Sequence, residues 1–347
     1  MKLTKQKVYD KIWYKLVRLL QSTPVYLYIY RSYWHYLFHP KRFYEPTGDI
    51  YYGARPRFYE PTGDIYYGAR PNPGAGIGHQ MANWIDGYYW ATRKLHLKFA
   101  HFPFSTKQWD DFLGFGYGEA TVPELRQKGY ILRRLPQFSE NDPNSIELVK
   151  SIIASYRGKK IIFWPPQDHF YKEQYGVMKD IQQKFYNAPS RKYDKLIYDK
   201  ANLNIAIHVR RGDIMTDPSN LNLSMRYLSN DYFEKVLQQV LDNIHTHKTA
   251  HIYFFSQGTP VDYPQFSAYK NLHWCLDMGA QDSFLHMVYA DILITSKSSF
   301  SYKPALLNRG VKICPRNFWH DYPSTPDWIL VENDGSLEIN RLKSLFL

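Results

Sequence analysis

Seven runs of β-branched, aromatic and aliphatic residues punctuate the chain. They are "DIYYGAR" at 64–70, "LHLKFAHF" at 95–102, "KKIIFW" at 159–164, "NIAIHV" at 204–209, "AHIYFFS" at 250–256, "DILITS" at 291–296 and "VKICP" at 311–315. Their length and composition predict strands. Between them the apolar positions recur at helical spacing: Met81, Trp84, Ile85, Tyr88 and Tyr89, and later Phe233, Val236, Leu237, Val240, Leu241 and Ile244, the second set opened by Asn230 as a candidate cap. Further helices are predicted at about 145–156, 282–290 and 301–308, and a polar helix over much of the stretch that ends near 200. Residues 103–144, broken by Pro and Gly, read as irregular. Strands alternating with helices predict an α/β protein with parallel sheets covered by helices on both faces. Two halves are expected, 64–200 and 201–347, meeting near residue 200.

The segment before the first half is of another kind. "RFYEPTGDIYYGARP" stands at 42–56 and again, identical, at 57–71. Stacked repeat architectures need about three units or more, so the pair is a duplication rather than a solenoid. Only the second copy runs into the glycine loop that follows, which makes Asp64 to Arg70 the expected working strand and the first copy an inserted loop or an extra edge strand. Residues 1–40 are basic, then aromatic: Lys2, Lys5, Lys7, Lys11, Lys15 and Arg18 face only Asp10, and "PVYLYIYRSYWHYLF" follows at 24–38. That run is short for a membrane span and carries Arg31 and His35. It fits a basic amphipathic segment lying on a membrane, with peripheral contact, or a helix packed on the protein body. Membrane-associated and cytoplasmic locations both stay open. Asn222-Leu-Ser224 is a glycosylation sequon.

Composition narrows the chemistry only in part. The 347 residues carry 44 Lys and Arg against 32 Asp and Glu, a net charge of +12, with 31 Tyr. Such a surplus suits an anionic partner: nucleic acid, an acidic membrane or a phosphorylated substrate. Two cysteines, Cys275 and Cys314, exclude a disulfide scaffold and a cysteine-rich zinc site. Nucleophile-elbow, metalloprotease and P-loop motifs are absent, the histidines show no metal-ligand spacing, and no D-x-D stands at a strand end. No metal is therefore expected: a bound diphosphate would have to be stabilised by arginines and helix dipoles.

Three stretches supply candidate sites, since ligands of open parallel sheets bind beyond the carboxyl ends of the strands. In "HVRRGD", His208 and Arg210 share a strand face, Arg211 sits where strand becomes loop, Gly212 permits the turn and Asp213 can hold an arginine. The alternative is a solvated Arg–Asp cluster. In "ITSKSSFSYKPALL" hydroxyls collect between a strand and a helix, where Ser298 and Ser299 can donate to an anion or serve only as helix caps. In "GAGIGHQM" the glycines Gly76 and Gly78 bring backbone close to a ligand, with His79 and Gln80 as side-chain donors, or they form a plain connecting turn.

In order along the chain, "GIGHQM", "HVRRGD", "YFFS", "DILITSKSSFS" and "ICPRNFW" resemble the fucosyltransferases of the α1,2/α1,6 and protein O-fucosyl superfamily, the α1,2 type above all. There the same blocks read G-L-G-N-Q-M, H-V-R-R-G-D and N-S-S-F-S-W-W. The resemblance spans roughly 64–330. It implies a GT-B-like fold, two Rossmann-type halves with parallel sheets facing a central cleft. It also implies an inverting, metal-independent transfer of fucose from GDP-fucose to a hydroxyl of a glycan or glycoprotein acceptor, without a further cofactor. Carried over, Arg210 and Arg211 hold the donor diphosphate and His208 contacts the nucleotide. Asp213 orients the arginines, Ser256, Ser298 and Ser299 line the donor site, and Gly76, Gly78, His79 and Gln80 face it from the first half. Asp217, just past the arginine motif, is the candidate base. This chain departs from the pattern at His79, where the family has Asn, at Gln257-Gly258, where it has acidic residues, and at Tyr302-Lys303, where it has a Trp pair. Another GDP-sugar stays open as donor.

Two other classes compete. A basic binding protein for RNA or DNA would use the charge and the tyrosines, but no recognisable module is present. An adhesion protein would use Arg211-Gly212-Asp213, but that tripeptide follows a strand rather than standing on a loop tip.

Overall fold

A computed structural model describes residues 64–346, except 155, 157, 167, 168, 170, 171 and 216–224. The basic segment at 1–40, the first repeat copy and Asp217 lie outside the described residues. Within them the chain forms two compact units: 64–68, 90–100 and 123–169 in one, and 69–89, 101–122 and 170–346 in the other. Its strands are β1 (Ile65–Tyr67), β2 (Lys98–His101), β3 (Ala120–Thr121), β4 (Ile131–Arg134), β5 (Ile161–Trp164), β6 (Leu203–His208), β7 (Ala250–Ser256), β8 (Leu272–Leu276), β9 (Ile292–Ile294), β10 (Val311–Pro315) and β11 (Trp328–Val331). Its helices are α1 (Ile77–Tyr89), α2 (Lys107–Leu113), α3 (Val122–Gln127), α4 (Pro143–Ala154), α5 (Met178–Tyr186), α6 (Asn230–Asn243), α7 (Ala280–Tyr289), α8 (Ser299–Leu307) and α9 (Ile339–Lys343).

In the first unit β2, β1, β5 and β4 lie side by side in that order, all parallel. Its core includes Trp90, whose ring meets Phe138 edge-on at 5.0 Å, and Phe138 stacks on His169 at 4.0 Å.

The second unit is built on a six-stranded parallel sheet in the order β11-β10-β9-β6-β7-β8. Counted from β6, that is the doubly wound order 3-2-1-4-5-6, and the winding reverses between β6 and β9. Ile205, Ile207, Phe254, Ile294, Ile313 and Ile329 of its strands pack with Phe233, Val236 and Leu237 of α6 in one core. The central strands β6 and β9 are buried on both faces, which is why "NIAIHV" and "DILITS" read as continuous apolar runs rather than alternating ones. Two parallel sheets with interleaved helices are the α/β architecture that the pattern predicts.

The structure differs from the sequence reading in its weaker elements. β3, β4, β8 and β11 are strands where none is predicted. β4 ("ILRR") and β8 ("LHWCL") are only partly buried edge strands, and their charged and polar positions dilute the apolar signal. The helix expected up to residue 200 stops at Tyr186, shortly before Pro189 begins a 3-10 turn. The cap of α6 is Ser229, whose hydroxyl accepts from the Tyr232 amide at 3.1 Å, and not Asn230. Among the described residues no helix is long and apolar enough to cross a membrane.

Candidate functional site

The point where the winding reverses is occupied by residues of two candidate motifs. His208, the last residue of β6, is buried, and its Nδ1 lies 2.8 Å from the Ser296 hydroxyl, just past the end of β9. Its ring packs at 5.5 Å from Phe300 in the first turn of α8. Burial, and after it the charge of Arg210, push the imidazole down to about 3. His208 is thus a neutral hydrogen-bonding group that joins the arginine strand to the serine loop. Arg210, two residues past the end of β6, is partly exposed.

Arg211 goes elsewhere. It donates to the Arg210 carbonyl at 2.8 Å and to Asn230 Oδ1 at 2.5 Å, and its guanidinium lies 4.8 Å over the Tyr227 ring. Burial lowers its pKa. Because Ser229 caps α6, Asn230 is free to accept this bond while its own amide donates to the Asp262 carbonyl. Arg211 thus fixes the turn that follows β6, tying the Arg210 carbonyl to the start of α6. Gly212 is needed in that turn: its φ is +69°, and a Cβ there would collide with the Gln257 side chain. Asp213 lies in the 3-10 turn Gly212–Met215.

Ser256, at the end of β7, donates to the Val209 carbonyl at 2.8 Å and pairs with the Tyr263 hydroxyl at 2.6 Å. It ties two strand ends together rather than standing open. The serine loop divides its tasks in the same way. Ser298 caps α8 by accepting from the Phe300 amide, and Ser301 is wholly buried, accepting from the Ser296 amide. Ser299 lies 3.2 Å from Nε2 of His320.

The glycine loop meets this helix end. A Cβ on Gly78 would come within 2.7 Å of the Ser299 carbonyl carbon and 2.8 Å of its oxygen. Only glycine lets the start of α1 approach the start of α8 so closely. Gly76 is exposed, with open space where its Cβ would be, and its carbonyl accepts from the His79 and Gln80 amides. His79 is half-buried. Gln80 is not open to a ligand: its carboxamide donates to Ala75 O and Ser105 Oγ and accepts from the Ser105 amide.

Two helix N-termini therefore meet, each with a partial positive charge. The other long helices of this unit neutralise that charge with an aspartate in the first turn: Asp110 in α2, Asp180 in α5, Asp231 in α6 and Asp282 in α7. α1 and α8 have no acidic residue there. Lys297, immediately before the cap of α8, adds a cation whose pKa burial lowers. Arg210 and Lys297, partly buried cations that follow β6 and β9, and two helix starts without a carboxylate are the candidate groups for holding an anion.

The sequence offers no site role for Ser296 or His320, and it points to Asn230 only as a cap. Ser296 lies in the quoted "ITS" and could have been matched to His208 only by knowing which strands are neighbours. As a cap residue Asn230 competes with Ser229, and because Ser229 takes the cap the Asn230 side chain is left for Arg211.

None of the known family models matches the chain, and no curated protein matches it. Among solved structures, the complex of POFUT1 with GDP is similar at 13% identity, covering 76% of this chain and 98% of that one, with a TM-score of 0.41. The fucosyltransferase NodZ from Bradyrhizobium gives 10% identity, 79% and 96% coverage and a TM-score of 0.42. The E. coli heptosyltransferase WaaC with ADP gives 8%, 81% and 97%, and 0.41.

Proposed function

We propose that the protein is a glycosyltransferase that moves a sugar, fucose by the motif resemblance, from a GDP-sugar to a hydroxyl of a glycan acceptor, in the manner of the α1,2 type. The observation that carries this reading is the meeting of three separate motifs at one switch point. The strand end of Arg210 is bonded through His208 to Ser296, and the start of α8 touches Gly78 of the glycine loop. A diphosphate is the ligand whose charge suits one guanidinium, a lysine and two helix ends.

In the proposed reaction the acceptor hydroxyl attacks the anomeric carbon from the side opposite the nucleotide, which inverts the configuration. The bond from that carbon to the β-phosphate oxygen breaks, and the phosphate leaves with the electron pair. Arg210, Lys297 and the amides at the starts of α1 and α8 neutralise the charge that grows on it, the role in which preorganised dipoles lower a barrier most. The hydroxyl proton passes to a carboxylate, for which Asp217 is the candidate by its place after the arginine motif. Arg211 and Ser256 act by holding the turn that presents Arg210, and Gln80 by holding the glycine loop. No metal is required in this scheme.

The test is calorimetry with GDP in the presence of EDTA. Micromolar binding is expected, and Arg210→Ala should weaken it by about 1.5–3 kcal/mol, the worth of a charge-assisted hydrogen bond. Hydrolysis of a panel of GDP-sugars by the wild type then identifies the sugar. An absence of heat with the folded wild type at high concentration would sink the donor assignment.

A further inference from the structure

The interior of the second unit holds a lysine bonded to a carboxamide instead of a carboxylate. Lys303 of α8 is 0% exposed, and its Nζ donates to Oε1 of Gln174, also 0% exposed. Gln174 in turn donates from Nε2 to the Ala82 carbonyl of α1 at 3.2 Å. Burial holds the amine well below the usual lysine range. The family resembled here carries tryptophan at position 303, so this strut belongs to the chain itself.

Its place in the two helices gives it a use. Ala82 is four residues after Gly78, and Lys303 is four residues after Ser299. Each is one helical turn deeper than the point where the helix starts touch. The two helices pack against each other beyond this one contact, and the strut adds a buried, directional polar link one turn behind it. A hydrogen-bonded link holds them with more directional demand than apolar packing, which accommodates small rotations.

We propose that Lys303 and Gln174 are positioning residues: the Lys303–Gln174–Ala82 strut fixes the angle between α1 and α8 and so aims both helix N-termini at one ligand. The ligand's identity as a GDP-sugar rests on the donor reading above; the aiming itself does not.

The experiment uses the full chain with Lys303→Met, Gln174→Leu, the pair together, and Gln174→Glu. The last keeps a partner for Lys303 and replaces the bond to Ala82 with an acceptor facing that carbonyl, so it breaks the strut at one end without removing the polar pair. Two readouts are taken: the Kd for GDP, and hydrogen exchange at the amides of His79 and Gln80, which bond the Gly76 carbonyl, and of Ser301 and Tyr302, which bond the Ser298 carbonyl. Each folded single variant should raise the Kd about tenfold, the loss of one buried hydrogen bond. It should also speed exchange at those four amides while Ile205 and Ile207 in β6 keep their protection. The double variant should be no worse than the worse single. Wild-type Kd and exchange in the folded variants would overturn the proposal. So would a uniform rise in exchange across the unit, since that is a packing defect and not a loss of aim. If the wild type binds no GDP while the four amides still loosen in the variants, the donor reading fails and the strut stands.

Discussion

At the scale of single residues, the site depends on which groups stay uncharged. His208 is enclosed between Ser296 and Phe300, next to Arg210, and its ring is held neutral down to about pH 3. The sign of the consequence follows from comparing the two states. Between the ordinary value of 6.5 and about 3 the unfolded chain binds a proton that the folded chain refuses. The stability contributed by the neutral ring is therefore complete above 6.5 and is lost as pH falls toward 3. His208→Gln, which keeps a polar group toward Ser296 but cannot titrate, should flatten the pH dependence of unfolding by up to about 1.4 kcal/mol per pH unit in that window. Urea unfolding of both proteins at pH 4, 5, 6 and 7 measures the difference, in which the carboxylates common to both cancel. Parallel curves would mean that the ring is open to water. The same residue bears on the reaction: a histidine that does not charge between pH 5 and 8 leaves Arg210 as the cation of this strand end, and its protonation should not appear in a rate profile.

At the scale of elements, the two helix starts decide the geometry. Gly76 and Gly78 stand two residues apart in one loop, yet only Gly78 meets the backbone of Ser299. Gly78→Ala must push α1 and α8 apart, at a cost of about 1–3 kcal/mol for overpacking a buried contact, while Gly76→Ala meets nothing within 4 Å. Thermal unfolding of the two variants should show a lowered midpoint for the first alone, and GDP binding should follow the same order. Equal midpoints would place the Gly78 contact outside the packed structure. This pair also marks the limit of what the sequence discloses. The loop, the strand before it and the helix after it were legible, because glycines between an apolar run and a 3.6-residue pattern have few other uses. The partner of Gly78 lies 221 positions away and becomes a neighbour only through the sheet order, which no local pattern encodes. The partner of Arg211 is hidden in the same way: its bond to Asn230 depends on Ser229 having taken the cap of α6. The missed strands β4 and β8 are edges, where one neighbour instead of two relaxes the demand for apolar residues that makes a central strand visible.

At the scale of the whole molecule, the repeat poses a question of assignment, because two identical segments compete for one place in a sheet. β1 is formed by Ile65–Tyr67, from the second copy, and is paired on both sides: Tyr66 and Tyr67 register with Lys98 and Phe99 of β2, and Ile65, Tyr66 and Tyr67 with Ile161, Ile162 and Phe163 of β5. Tyr67 is fully buried there. If the first copy took that place instead, fifteen more residues would separate the strand from α1, and the glycine loop would no longer leave the strand directly. Closing the longer loop costs little entropy, so entropy alone does not forbid the exchange. What opposes it is that only the second copy runs directly into the glycine loop that opens α1. A deletion cannot test this, since removing either copy leaves the same chain. Paired substitutions can. Tyr67→Ala should cost about 3–5 kcal/mol, as for other buried aromatics, and Tyr52→Ala, its equivalent in the first copy, should cost nearly nothing. Were the copies interchangeable, each single variant would be rescued by the intact segment, and only the double variant would be severely destabilised. Denaturant midpoints of the three proteins separate the two cases: a mild Tyr67→Ala together with a severe double variant would mean that the strand at the centre of the first sheet is drawn from either copy.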